Sequence, residues 1–229
     1  MNEHKQILEM IYLQKSLNDA TNGLGWEAGL TKNDKIIDWN RCIYMEAAEL
    51  IESFSWKHWK SINQEPDWAN IKIEAVDIWH FILSLLIQEY KLQNLGSLED
   101  LAKHITTQDK FGPFSSDGVT PETPMFEIIG MVEDVMRDSL NTTDINQLIN
   151  NFLHMSLHCG VNLQELYTLY IGKNILNKFR QDNGYKDGTY IKIWNGVEDN
   201  IVMLDIMAKN PTFTSDELFS GLGEVYNEL

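Results

Sequence analysis

Apolar residues recur at helical spacing along most of the chain. Ile7 and Ile11 begin a stripe that continues to Leu17, and the turn chemistry of Thr21-Asn22-Gly23-Leu24-Gly25 closes it, which predicts a first helix over 7–18. A second is predicted from Asp38, a good N-cap, through Ile43, Ala47, Leu50, Ile51 and Phe54. The third follows Pro66-Asp67 and is the most apolar segment of the chain, from Ile71 to Leu86. It is hydrophobic nearly all round and is therefore expected to be buried. A polar stretch around Gly112-Pro113 and Pro121 to Pro124 predicts a mobile loop or subdomain edge. Helices are expected again over 126–140 and 144–158. Asn162, with Glu165 three residues on, predicts a capped helix reaching Asp182, stopped by Asn183-Gly184. Period-two alternation never runs beyond a few residues, and no repeat or low-complexity tract interrupts the pattern, so the predicted fold class is all-α.

Composition narrows the partners. With 18 Lys and Arg against 34 Asp and Glu, the 229-residue chain carries a formal charge of −16. Such a chain would be repelled by a phosphate backbone, and nucleic acid is excluded as an expected partner. Cys42 and Cys159 stand in no CxxC spacing, which argues against a disulfide framework or a thiolate metal site. The first residues lack an apolar run of signal-peptide length, and the apolar stretch near Trp79 to Ile87 is broken by His80 and Ser84. A cytoplasmic protein with no membrane partner is expected.

The acids themselves are patterned. The second helix carries Glu46-Ala-Ala-Glu49 and the third Glu74-Ala-Val-Asp77, and residues three apart share a helix face. One such pair on a solvated face would mean little in so acidic a chain. The third helix changes that reading, because Glu74, Asp77 and His80 lie about one turn apart in its least polar segment. A buried carboxylate must be protonated, paired or bound to a metal. An all-oxygen donor set points to a hard cation, Mg²⁺ or Mn²⁺. Mg²⁺ in turn is commonly shared with substrate phosphates, and residues 173–192 hold five Lys and Arg against two acids. Lys173, Asn177 and Arg180 are spaced four and three apart on one face; Lys186 and Lys192 follow, and Lys57 and Lys60 between Trp56 and Trp59 form a second basic spot. Helix-dipole compensation would account for Lys178 or Arg180 but not for the whole cluster. Along the first helix the apolar stripe passes into Gln14 and Asn18. Their amides either satisfy neighbouring backbone or meet the edge of a base.

These residues together resemble the dimeric, all-α dUTP pyrophosphatases, relatives of the MazG-like nucleotide pyrophosphatases. The superfamily pattern is ExxE, a spacer, then ExxD, matched by Glu46, Glu49, Glu74 and Asp77. The narrower resemblance rests on Leu13-Gln14 with Leu17-Asn18, Thr21-Asn22-Gly23, Trp56-Lys57-His58-Trp59-Lys60, and the run from Gly172 through Lys173, Asn177, Arg180 and Tyr185 to Gly188. It covers 1–95 and 155–200, the expected active-site part of a single domain spanning 1–229. Residues 96–150 are expected to form a mobile or inserted helical segment.

The resemblance implies an enzyme that hydrolyses dUTP to dUMP and pyrophosphate, acts on dUDP as well, and limits uracil incorporation into DNA. It implies two or three Mg²⁺, with Mn²⁺ as a substitute, held by Glu46, Glu49, Glu74 and Asp77, with Glu49 also the general base. It assigns Lys173, Asn177, Arg180, Lys186 and Lys192 to the phosphates, with Lys57 as a further contact. Gln14 and Asn18 would read uracil, Tyr185 would lie near the sugar, and His80 and Phe81 would line the deoxyribose pocket. It also implies a homodimer. Two other readings stay open: a broader pyrophosphatase acting on dCTP or modified nucleotides, since Gln and Asn amides can turn to suit either base, and a non-catalytic, metal-stabilised helical scaffold.

Overall fold

In the computed structural model, residues 2–60, 64–116, 122–141 and 144–229 are described. The stretch expected to be a loop edge therefore lies partly outside the described residues, at 117–121. Two compact units form, Met1–Tyr167 and Thr168–Leu229.

The first unit is built from α1 (Glu3–Asn22), a 3₁₀ turn (Trp26–Ala28), α2 (Trp39–Glu52), α3 (Trp68–Leu92), α4 (Leu98–Thr106), α5 (Phe111–Ser115), α6 (Met125–Leu140) and α7 (Ile145–His158), with the start of α8 (Leu163–Asp182). Caps set the boundaries. Asp38 accepts from Arg41 N to start α2, and Asp67 accepts from Asn70 N to start α3. At α8 Asn162 accepts from Glu165 N at 2.9 Å, while the Glu165 carboxylate pairs with Lys72 of α3 at 2.8 Å. α3 runs further than its apolar stretch predicts, from Trp68 to Leu92, because Asp67 supplies the cap and Tyr90 is still buried on its last turns. It packs against α1, α2, α4 and α7, and α2 also packs on α6.

Burial follows. Ile7, Met10 and Ile11 of α1, Ile43, Ala47 and Leu50 of α2, and Ile71, Ile78, Trp79, Ile82 and Leu83 of α3 are fully buried. Trp79 stacks on Phe152 of α7 with centroids 4.9 Å apart. Within 96–150, expected to be mobile or inserted, α4 packs on α1 and α6 packs on α2 and α7. Its first helix is closed by a capping box between Ser97 and Asp100.

The second unit holds the rest of α8, a hairpin of β1 (Ile193–Trp194) and β2 (Val197–Glu198), α9 (Asp199–Lys209) and α10 (Ser215–Tyr226). α8 stops at Asn183-Gly184 as predicted. Gly184 takes φ +89°, and Tyr185 N bonds back to the Arg180 carbonyl at 2.9 Å, a Schellman closure. The hairpin turns at Asn195 and Gly196, both at positive φ, with Trp194 paired to Val197. Its strands are too short to show in a period-two pattern. Phe179 sits among Tyr190, Trp194, Phe219 and Tyr226, each ring centroid 5.2 to 6.4 Å away.

Because Trp79 is fully buried and stacked, Trp79→Ala should destabilise the fold by about 3–5 kcal/mol, read as a lowered urea midpoint at unchanged slope. A loss under about 1 kcal/mol would mean that the cavity closes, and that the α3–α7 seam is not the rigid centre of the unit.

Candidate active site

α2 and α3 pack along their lengths, and that seam brings their acids together. Carboxylate oxygens of Glu46, Glu74 and Asp77 lie within 4.8 Å of one another. Glu74 is buried, Glu46 and Asp77 half-buried, and Asn70, one turn before Glu74, donates to Glu74 Oε1 at 3.1 Å and to Ser53 Oγ at 2.8 Å. Three converging acids on two packed helices are a donor set that fits a hard cation, which draws oxygen ligands to within a few ångströms of each other. Glu49, one turn along α2, is exposed and lies outside that cluster. Nearby Cys42 is pushed up to about 11, by burial first and then by the charges of Glu46 and Asp38, so it remains a thiol at neutral pH.

A second group lies between α1 and α3, where Gln14, Asn18, His80 and Ser84 are all buried. Their hydrogen-bond polarity follows from one anchor. The His80 carbonyl can only accept, so Ser84 donates its single hydroxyl hydrogen to it at 2.8 Å. Ser84 Oγ therefore only accepts from side chains, and does so from Gln14 Nε2 at 2.8 Å and Asn18 Nδ2 at 2.9 Å. Gln14 Nε2 also reaches Asn18 Oδ1 at 3.3 Å. Gln14 Oε1 faces His80 Nδ1 at 2.6 Å, and because an amide oxygen has no hydrogen, the imidazole carries its proton on Nδ1. Phe81, one residue on from His80, stacks on Trp39 at 6.0 Å. Lys57 is engaged by Glu52 and lies over the Trp56 ring at 5.6 Å.

The basic residues expected to meet phosphate are held in the second unit by partners that sequence reasoning missed. Asp199 accepts from Arg180 Nε and Nη2, both at 2.8 Å, and from Tyr190 Oη at 2.7 Å. Asn200 Oδ1 accepts from Lys173 Nζ at 2.8 Å and from Arg180 Nη2 at 3.2 Å, and Asn177 Oδ1 accepts from Arg180 Nη1 at 3.2 Å. Lys173 and Arg180 are consequently only 2% and 8% exposed. Burial alone would push the Asp199 carboxyl up, but the Arg180 and Tyr190 bonds outweigh it and hold it below the usual carboxylate range. Burial and Asp199 together push the Tyr190 hydroxyl well up. Tyr185 is exposed, with the Arg180 guanidinium 5.9 Å from its ring centroid. Lys186 and Lys192 are exposed too, Lys192 pairing with Glu198 at 3.3 Å. The available signal for Asp199 was electrostatic, since two cations on one apolar helix face need a buried acceptor.

The sequence profile of the dUTPase family matches residues 6–185, and the chain belongs to that all-α family. It is an enzyme, a dUTP diphosphatase, whose substrate is a small-molecule nucleotide. No curated protein matches the chain closely enough to count as a relative. Among the described residues, no helix is long and apolar enough to cross a membrane.

The Asp199–Arg180 pair generates a pH-dependent prediction. A carboxyl whose folded pKa is depressed contributes stability that is fully present above its unfolded value of about 3.9 and is lost as pH falls through the folded value. Asp199→Asn should therefore cost about 3 kcal/mol at pH 7, because Arg180 is left buried without its counter-charge, and the difference from wild type should shrink only below about pH 3.9. Urea unfolding at pH 7, 5 and 3 measures it. Equal stability at pH 7 would contradict the assignment.

Proposed function

We propose that this all-α dUTPase hydrolyses dUTP to dUMP and pyrophosphate, and dUDP to dUMP and phosphate, at the acid cluster of α2 and α3, with Mg²⁺ as its cation and Mn²⁺ as a substitute. The observation that carries the reading is the convergence of Glu46, Glu74 and Asp77 within 4.8 Å on the two packed helices. Bound there, two or three such ions would neutralise charge on the phosphoryl oxygens and lower the pKa of the attacking water. Glu46, Glu74 and Asp77 hold the metal in this reading. Glu49 is its fourth ligand and the general base, and its exposed position on the next turn of α2 leaves it access to water.

The remaining residues bind and orient. Gln14 and Asn18 read uracil, His80 and Phe81 line the deoxyribose, and Tyr185 lies against the sugar. Lys173, Asn177, Arg180, Lys186 and Lys192 take the phosphates, with Lys57 as a further contact. Support for the phosphate role comes from the way Asp199 and Asn200 fix the buried heads of Arg180 and Lys173, which limits the side-chain entropy that phosphate binding would otherwise remove. By limiting dUTP the enzyme would keep uracil out of DNA. The reading includes a homodimer, carried by the family resemblance, and a cytoplasmic setting, supported by two cysteines that stand in no disulfide-framework spacing.

Pyrophosphate release from dUTP, dCTP, dTTP and UTP, with Mg²⁺ and with excess chelator, tests the reading. Metal-dependent release from dUTP ahead of the other three is the expected result. Glu49→Gln should fold normally and lose at least about 100-fold in kcat. Full activity of that variant would remove Glu49 from the mechanism, comparable release from dCTP would replace the narrow substrate assignment with the broader one, and no release from any nucleotide would leave a helical scaffold.

A further inference from the structure

The polarity of the network between α1 and α3 bears on which pyrimidine the site accepts. Asn18 uses one amide hydrogen on Ser84 Oγ and one lone pair of Oδ1 on Gln14 Nε2. An Asn amide has two hydrogens and two lone pairs; because Gln14 Nε2 and Ser84 Oγ are themselves 2.8 Å apart and take the edge between Oδ1 and Nδ2, one N–H and one acceptor position remain, at opposite ends of the amide. The remaining Oδ1 lone pair complements an N–H, which is what uracil offers at N3. Cytosine carries a lone pair at N3 instead. A base seated in the same way would bring that lone pair against the amide oxygen.

An isolated Asn would relieve the mismatch by turning its amide over. Here the turn is blocked twice. Reversed, Oδ1 would face Ser84 Oγ, whose only hydrogen is already given to the His80 carbonyl at 2.8 Å, leaving two oxygens with no hydrogen between them. Nδ2 would then face Gln14 Nε2, donor against donor, and Gln14 is itself held by Ser84 at 2.8 Å and His80 at 2.6 Å. All four residues are buried, so water does not readily compensate either loss.

We propose that Ser84 is a specificity-determining positioning residue: by accepting from both Asn18 and Gln14 it locks the Asn18 amide in the orientation that reads uracil and rejects cytosine. The inference rests on the reading that the base of dUTP meets Gln14 and Asn18. Ser84 touches no reacting atom and acts through Asn18.

The test compares kcat/KM for dUTP and dCTP, with Mg²⁺, in the wild type, Ser84→Ala and Ser84→Cys. In Ser84→Ala the dUTP-to-dCTP ratio should fall at least about tenfold, because the amide regains the freedom to serve either base. Ser84→Cys, close in size with a weaker acceptor, should show a smaller fall, and it carries the test if the alanine variant does not fold. A purely structural role would lower both nucleotides in proportion, and an unchanged ratio in folded variants overturns the proposal. A wild type that cleaves dUTP and dCTP equally overturns it too, since Ser84 would then set no discrimination, while the hydrolytic reading would stand. A wild type that cleaves neither removes the hydrolytic reading and this inference with it.

Discussion

A polar group on a helix surrounded by apolar packing is costly to leave unsatisfied, and α3 is such a helix. Its buried positions include Ile71, Ile73, Val76, Ile78, Trp79, Ile82 and Leu83, yet Glu74, Asp77, His80 and Ser84 stand among them at intervals of three, three and four. A polar group buried without a partner costs on the order of 1–3 kcal/mol, and a charge costs more. The neighbours of α3 are arranged to meet that demand. α2 brings Glu46 to Glu74 and Asp77, while α1 brings Gln14 and Asn18 to His80 and Ser84. The same constraint works differently at the two ends. The acids concentrate like charge, which only a cation can offset well, whereas the amide end closes on itself with neutral donors and acceptors.

The second unit solves the reverse problem. Lys173 and Arg180 are buried cations on α8, and Asp199 and Asn200 at the start of α9 supply the acceptors. A bidentate guanidinium–carboxylate pair fixes the plane of Arg180 as well as its position. Tyr190 completes the Asp199 shell, and its ring lies in the same aromatic cluster as Phe179, Trp194 and Tyr226. The ion pair is thus tied to the packing of the unit, so the cationic heads are not mobile surface charges.

Much of this was legible in the sequence because it is local. The caps at Asp38 and Asp67, the Asn183-Gly184 stop and the i,i+3 acids depend on neighbours within one turn, and each appears in the fold. The capping boxes Ser97–Asp100 and Thr214–Glu217 mark α4 and α10, and the Asn195-Gly196 pair marks the hairpin. Those signals were present, but the nine-residue α4 and the two-residue strands are too short for hydrophobic periodicity to flag them. Ser84 and Asp199 are a different case. Nothing within one turn of a serine in an apolar helix, or of one acid among 34, tells what will face it across an interface. Their roles exist only once α1 meets α3 and α8 meets α9.

The two networks also differ in the kind of information each can hold. A guanidinium or ammonium has hydrogens on every side and no acceptor, so it attracts any phosphate and cannot tell one nucleotide from another. Affinity for a group common to all substrates suits such a network. An amide has a direction, because its oxygen and nitrogen occupy the same shape with opposite roles, and an amide that turns freely loses that direction. The chain from the His80 carbonyl through Ser84 to Asn18 and Gln14 removes the freedom by counting hydrogens: the carbonyl has none to give, Ser84 has one, and it is spent. Discrimination between bases that differ mainly in where a hydrogen sits requires a partner whose own hydrogens are fixed. Only a buried neutral network of this kind can fix them without also adding charge.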